Sequence, residues 1–220
     1  FVVYIYHYLC PAAFFYCKYT HFQINFSKVA RIIHTTNLLR ELFTQQAYKK
    51  IMLFSKEVYA SRREVLRKRI GSGLIIIMGN NDSPMNYPAN VYRFRQDSCF
   101  LYYFGLHREG LVGVIDADEP KEYLIGNDID IEDIVWFGQV DSVADMATQT
   151  GVENSAPMKQ LQALVDKAKQ QGRRIHFLPP YRHDIQIQLM DLLGIHPSKL
   201  RAEASIDLIK TVVDQRAVKS

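Results

Sequence analysis

The stretch from Val91 to Gly105 reads VYRFRQDSCFLYYFG and sets a charged, polar run directly before a block of aromatic side chains. Arg93 and Arg95 alternate with aromatic residues, and this period of two is typical of extended chain. The run CFLYYF at 99–104 is mostly aromatic and predicts a strand. Two interpretations are open: an extended segment in which Arg95 pairs with Asp97 or stacks on a ring, or a functional surface.

Predicted helices and strands alternate on both sides of this stretch. LIIIM at 74–78 is a short β-branched run next to glycines, which predicts a buried strand, whereas GNNDSPMNYPAN at 79–90 has the composition of a loop. The alternation predicts an α/β domain with a mixed sheet. The further predicted strands lie at 111–116, 122–126 and 174–178, and the predicted helices at 55–70, 128–136, 142–149, 157–172, 183–194 and 203–220.

The first of these helices has signals at both ends and along one face. Ser55 is a candidate N-cap, and Gly71 is a candidate C-terminal stop. The apolar residues near one helical face predict that this face is buried. They are Val58, Val65, Leu66 and Ile70.

Residues 1–51 differ in composition from the rest of the chain. They contain no Gly, Asp or Met, and they hold six of the 13 Tyr. We interpret 1–51 as a non-native upstream extension or a disordered or helical tail, so that the natural protein begins at Met52 and its domain spans 52–220. The uncharged residues 1–17 reach the lower limit of a membrane span, which leaves a membrane anchor as the alternative. Pro11 weakens that alternative, and we expect no membrane partner.

The positive charge lies in the same extension. Residues 1–51 carry six Lys or Arg and one Glu, which leaves 21 basic and 22 acidic residues from Met52 onward. A nucleic-acid surface would require a basic stripe on the folded domain. The charge distribution therefore predicts no nucleic-acid partner.

No complete catalytic or metal-binding motif is present in the sequence. It lacks G-x-G-x-x-G, the P-loop, G-x-S-x-G and H-E-x-x-H, and the acidic run DIDIED at 128–133 lacks the glycine of a calcium loop. Its three cysteines form no C-x-x-C, and we interpret Cys99 as a small buried thiol of a reducing, cytoplasmic protein. The histidines occur singly, so we expect neither catalytic nor metal-binding residues in this chain.

Four separated pieces resemble the N-terminal domain of Xaa-Pro aminopeptidases (aminopeptidase P), relatives of prolidase and creatinase. YRFRQDSCFLYYFGL resembles the family segment Y-x-F/Y-R-Q-x-S-x-F-x-Y-x-x-G. Three further pieces resemble the family in the same order. They are the first helix with its paired Arg62 and Arg63, DIVWFGQ at 133–139, and the final helix, which ends R-x-x-K-S. The resemblance covers 52–220.

The resemblance implies a three-layer α/β/α domain of the creatinase/prolidase N-terminal type. It also implies a second, catalytic domain with two divalent metals, usually manganese, held by two Asp, one His and two Glu, which activate a water against the bond before proline. That domain is not in this sequence. We therefore expect that the chain is truncated at Ser220 and that it is inactive alone.

The resemblance also assigns a role to the polar-aromatic segment. It implies that Tyr92, Arg95, Asp97 and Trp136 lie at an oligomer interface or at the mouth of the substrate cleft, since aromatic residues and Arg are favoured at contacts. For Trp136, plain core packing is an equal alternative. Some relatives have an acidic residue just before the segment, where this chain has PAN at 88–90, so the cleft contribution stays open.

The expected partners follow from the family. They are the chain's own catalytic domain, further copies in a homo-oligomer, and, through the full enzyme, a peptide with proline at its second position. Two alternatives remain: the N-terminal domain of a prolidase or creatinase relative with another substrate, and a stand-alone oligomerisation or binding module.

Overall fold

A five-stranded mixed sheet lies at the centre of the residues that the computed structural model describes, namely 54–87, 90–129 and 141–217. In chain order the strands are β1 (Leu74–Met78), β2 (Pro84–Tyr87), β3 (Asn90–Val91), β4 (Val112–Asp116), β5 (Glu122–Ile125), β6 (Asn154–Ala156) and β7 (Ile175–Phe177). The sheet order is β6-β5-β4-β1-β7, and β2 and β3 form a separate antiparallel hairpin.

The sheet combines parallel and antiparallel pairs, as predicted. Ile76 of β1 lies opposite Val114 of the antiparallel β4 and opposite Phe177 of the parallel β7. On the other side, β4 pairs with β5 in antiparallel fashion, and β5 pairs with β6 in parallel. The predicted strands at 74–78, 111–116, 122–126 and 174–178 are confirmed.

Seven helices occur in the described ranges. None of them has both the length and the apolar composition needed to cross a membrane. The helices are α1 (Lys56–Ile70), α2 (Ser98–Phe104), α3 (Val143–Thr150), α4 (Lys159–Gln170), α5 (His183–Leu193), α6 (Pro197–Glu203) and α7 (Ile206–Arg216).

The helices cover both faces of the sheet. Successive side chains of a strand point to opposite faces, so Ile75 and Ile77 pack in one core and Leu74 and Ile76 in another. The first core also contains buried residues of α1, α2, α3 and α7, and the second contains those of α4, α5 and α6. The three-layer α/β/α architecture is confirmed.

A buried arginine joins the helices of the first core to the sheet. The Arg63 side chain on α1 is fully buried, and its Nε donates a hydrogen bond to Glu122 Oε2 at 2.7 Å. Its Nη1 and Nη2 donate to the backbone carbonyls of Tyr103 and Thr150 at 2.9 and 3.1 Å. These contacts tie α1 to β5, α2 and α3 through one guanidinium group. Burial raises the pKa of Glu122, and the neighbouring Arg63 opposes that shift.

The predicted apolar face of α1 is partly wrong. Val58 and Val65 are 37% and 38% exposed. The buried face instead carries Tyr59, Arg63 and Leu66. The helix turns a polar residue inward because Glu122 and three backbone carbonyls on neighbouring elements satisfy its donors.

Several other local predictions differ from the structure. The predicted loop at 79–90 contains β2 and the first residue of β3. The strand β6 and the helix α6 were not predicted. The predictions for residues 1–51 lie outside the described residues, as does most of the predicted helix at 128–136.

Candidate functional site

The stretch from Val91 to Gly105 divides at Gln96 into an exposed half and a buried half. Tyr92 is 58% exposed, while Phe100, Tyr103 and Phe104 are fully buried in the first core. The predicted strand at 99–104 is wrong, because these residues form the helix α2. Residues 92–95, whose period of two predicted extended chain, lie in neither a helix nor a strand, and β3 ends just before them at Val91.

Asp97 explains why the aromatic run is helical. Its Oδ1 accepts hydrogen bonds from the backbone N–H groups of Cys99 and Phe100 at 2.8 and 2.9 Å, so Asp97 is the N-cap of α2. Gly105 ends the helix in the left-handed conformation with φ of 71°. These two residues were the sequence signals for a helix, and they outweigh the strand propensity of the aromatic residues.

Gln96 fixes the start of α2 against the end of β1. This side chain is buried, and its Oε1 accepts hydrogen bonds from the backbone N–H groups of Asn80 and Asp97 at 2.6 and 2.9 Å. Its Nε2 donates to the backbone carbonyl of Arg108 at 2.6 Å. The sequence did not single out Gln96, because its contacts with Asn80 and Arg108 are set by the tertiary fold.

Arg95 makes neither of the two contacts predicted for a purely structural role of this segment. The described residues provide neither an ion pair between Arg95 and Asp97 nor an aromatic ring beneath its guanidinium group. Its side chain is exposed, and its backbone carbonyl accepts a hydrogen bond from Asn80 Nδ2 at 2.9 Å. The neighbouring Arg93 is also exposed.

The hairpin carries an exposed apolar group next to these arginines. Met85 and Tyr87 on β2 are 50% and 57% exposed. The backbone N–H of Tyr92 donates to the carbonyl of Ser83 at 2.9 Å, so the hairpin and the segment 92–95 adjoin. We call Met85, Tyr87 and residues 92–95 the hairpin surface. It combines aromatic and cationic side chains, as contact surfaces do.

Polar side chains gather where β1 and β7 end. Asn80 follows β1, and its Nδ2 donates to the Tyr181 hydroxyl at 3.0 Å. Asn81 Nδ2 donates to Asp184 Oδ2 at 3.1 Å. The carboxyl end of β1 is thereby joined to the loop after β7. Asp97 lies at the same end of the sheet.

The remaining candidate residues are placed as follows. Trp136 and the DIVWFGQ piece lie outside the described residues. Asp128, the first residue of the acidic run, accepts a hydrogen bond from the Val143 backbone N–H at 2.6 Å. Cys99 is half-buried, and burial raises the pKa of its thiol, in agreement with an unreactive cysteine.

Both ring nitrogens of His176 lie close to polar atoms of the protein. Among the described residues, no group of three His, Cys, Asp or Glu side chains could hold a metal ion. His176 Nδ1 lies 2.8 Å from Ser205 Oγ, and its Nε2 lies 3.0 Å from the backbone carbonyl of Ser72. Burial lowers the pKa of His176, so the neutral imidazole is favoured.

The sequence matches the family described as aminopeptidase P, N-terminal domain, over residues 59–176. The chain belongs to this family. The match includes Arg63, the hairpin surface, Asp97 and the whole of α2, and it confirms the resemblance inferred from the sequence.

Solved structures of aminopeptidases have the same fold as this domain. Pseudomonas aeruginosa aminopeptidase PepP aligns with a TM-score of 0.61 and 22% identity, over 76% of this chain and 39% of that one. A variant of Escherichia coli aminopeptidase P aligns with a TM-score of 0.60 and 18% identity, over 76% and 40%. Proline aminopeptidase P II from Yersinia pestis aligns with a TM-score of 0.55 and 19% identity, over 67% and 34%.

At these identities the likeness concerns the fold. The aligned part spans about two fifths or less of the solved chains, which carry further sequence that this chain does not match. No curated protein matches the sequence.

Proposed function

We propose that this chain is the non-catalytic N-terminal domain of an Xaa-Pro aminopeptidase that removes the residue before a proline. The family match over 59–176 carries this proposal. The solved relatives are aminopeptidases of more than twice the aligned length, which supports a second domain for the chemistry. A cytoplasmic location and two divalent metals, manganese by family resemblance, are parts of the same proposal.

The described residues do not fit a catalytic metal centre themselves, so no chemical step is assigned to them. In this proposal the domain binds other parts of the enzyme and forms part of the rim of the substrate cleft. The hairpin surface suits that role because its aromatic and cationic side chains are exposed and Arg95 has no carboxylate partner in the described residues.

In this proposal Tyr92 and Arg95 contact a second copy or the peptide at the cleft mouth. Asp97 acts through α2, whose start it holds, and is a positioning residue. For Trp136 we propose a position at an oligomer interface or at the cleft mouth, with core packing as an equal alternative.

Reading the coding sequence beyond Ser220 tests the proposal. We expect the frame to continue into a domain that contains two Asp, one His and two Glu in the family order. A stop codon directly after Ser220 would favour the alternative of a stand-alone oligomerisation or binding module.

The cleft role needs a separate test in the full enzyme. Tyr92→Ala and Arg95→Ala are expected to raise KM for an Xaa-Pro peptide or to shift the oligomer to smaller species in light scattering. Lys199→Ala, an exposed cation on α6, is the matched control. Unchanged KM and unchanged oligomer size in both variants would reject a role for the hairpin surface.

A further inference from the structure

A crevice opens at the carboxyl ends of β1 and β7. These strands are parallel neighbours, and β7 lies at the edge of the sheet. The chain that leaves β1 reaches α2 in the first core, whereas the chain that leaves β7 enters α5 in the second core. In open α/β sheets, ligands bind outside the carboxyl ends of the strands where the connections diverge to opposite faces.

A cavity of about 320 Å³ occupies this position. Small-molecule sites start at roughly 300 Å³, so it can hold a compact ligand. Its inner walls are aliphatic and come from β1, α5 and α7. They include Ile76, Ile77, Ile185, Leu189 and Val212.

The mouth of the cavity carries three charged side chains with different surroundings. Asp97 Oδ1 already accepts two backbone hydrogen bonds, and Arg182 pairs with both oxygens of Asp184 at 2.9 and 3.0 Å. Arg216, at the end of α7, donates from Nη1 to Cys99 Sγ at 3.0 Å. In the described ranges no carboxylate lies within 4.0 Å of the Arg216 guanidinium.

The Cys99 sulfur is a poor partner for this arginine. A thiol is a weak hydrogen-bond acceptor. Because burial raises the pKa of Cys99, the thiol is neutral at physiological pH and does not balance the charge. An aliphatic cavity thus has at its mouth a guanidinium whose fork geometry matches a carboxylate.

We propose that this crevice binds a small monocarboxylate with a compact apolar body. The body fills the space between α5 and α7, and the carboxylate pairs with Arg216. The site lies at the same end of the sheet as the hairpin surface, since Asn80 lines the cavity and donates to the Arg95 carbonyl at 2.9 Å. Its lining contains none of the residues of the hairpin surface, and it does not depend on the proposed peptidase function.

Binding of three probes to the 220-residue chain tests the proposal. Phenylacetate has the apolar body and the charge, phenylacetamide has the body without the charge, and acetate has the charge without the body. We expect phenylacetate to bind with a Kd on the order of 1 mM by saturation-transfer NMR or calorimetry. Phenylacetamide should bind about fivefold more weakly, as suits a partly exposed charged hydrogen bond, and acetate should show no saturable binding.

Two variants and one control separate the contributions of the charge and of the cavity. Arg216→Gln should equalise the affinities for phenylacetate and phenylacetamide, whereas Lys210→Gln, which removes an exposed charge from the same helix outside the cavity, should leave their ratio unchanged. Val213→Trp should weaken both probes, because Val213 lines the cavity yet is 61% exposed, so a larger side chain blocks the mouth without entering the core.

Three results would overturn the proposal: no saturable binding of phenylacetate, equal affinity for phenylacetate and phenylacetamide in the unmodified chain, or an unchanged ratio in Arg216→Gln. Thermal melting of each variant by circular dichroism verifies that the fold is retained.

Discussion

Both halves of the segment 91–105 carry aromatic side chains, but their environments are opposite. Tyr92 is 58% exposed, whereas Tyr103, eleven residues later, is fully buried and donates its hydroxyl proton to Gln215 Oε1 at 2.5 Å. The same contrast holds between the exposed Arg95 and the buried Arg63. Residue type therefore does not separate exposed surface from core; the partners that the fold supplies do.

Substitution of the buried Arg63 is expected to cause the largest loss of stability. Arg63→Met leaves Glu122 without its cationic partner, and breaking a buried pair in this way costs about 3–5 kcal/mol of the free energy of unfolding. Urea denaturation at pH 7 measures the loss. Arg69→Met on the same helix is the control, because Arg69 is 49% exposed and its contact with Asp214 is 3.6 Å long. Equal losses of unfolding free energy from the two substitutions would show that the buried contacts of Arg63 stabilise the fold no more than an exposed arginine does.

Substitution of Asp97, the N-cap of α2, is expected to cause the next largest loss of stability. Asp97→Ala removes the side chain that accepts two backbone hydrogen bonds, and losing such a cap costs about 1 kcal/mol. Asp97→Asn should retain most of the stability, because asparagine caps helices as well as aspartate does. If Asp97→Ala were as stable as the unmodified chain, the capping explanation for the helical aromatic run would fail.

Protonation of His176 on β7 is expected to have a smaller effect on stability. Burial lowers the pKa of His176 from the ordinary value of 6.5, and the Ser72 carbonyl opposes that shift. Below pH 6.5 the unfolded chain then binds the proton more readily than the folded chain does, so His176 lowers stability as the pH falls and adds no such loss above 6.5.

Unfolding free energies between pH 7.5 and 5 measure this effect. His176→Gln cannot be protonated and should show a shallower decline over this range than the unmodified chain. The other titrating groups act in both proteins and cancel in the comparison. Identical slopes would contradict the assignment of a lowered pKa to His176.

The hairpin surface yields the smallest effect on stability. Tyr92→Ala and Arg95→Ala should each change the free energy of unfolding by less than about 0.5 kcal/mol, because exposed side chains away from buried networks contribute little. In the full enzyme the same substitutions are expected to alter KM or assembly. A stability loss equal to that of Asp97→Ala would place these residues in the core instead.

The sheet was predictable because its central strands are short apolar runs. LIIIM and LVGVID carry β-branched residues on both faces, as strands covered by helices on both sides do. The strand β6, by contrast, contains only Asn154, Ser155 and Ala156, and it pairs with β5 through its backbone. Its sequence holds no apolar run, so the pairing depends on the tertiary fold.

The candidate site was predictable as a segment and not in its geometry. The family motif located Tyr92, Arg95 and Asp97 together, but it did not show that Asp97 is a helix cap. Two of the three hydrogen bonds of Gln96, and the contacts of the inward-facing Arg63, involve partners from 12 to 88 residues away. Local periodicity does not report contacts of that range.

Hydrolysis of an Xaa-Pro peptide by two purified proteins tests the central claim most directly. One protein is the 220-residue chain, and the other is the product of the full reading frame that contains it, both assayed with Mn²⁺. We predict that the full product releases the N-terminal residue and that the chain alone does not. An inactive full product, or clear turnover by the chain alone, would contradict the assignment of this domain as the non-catalytic part of an Xaa-Pro aminopeptidase.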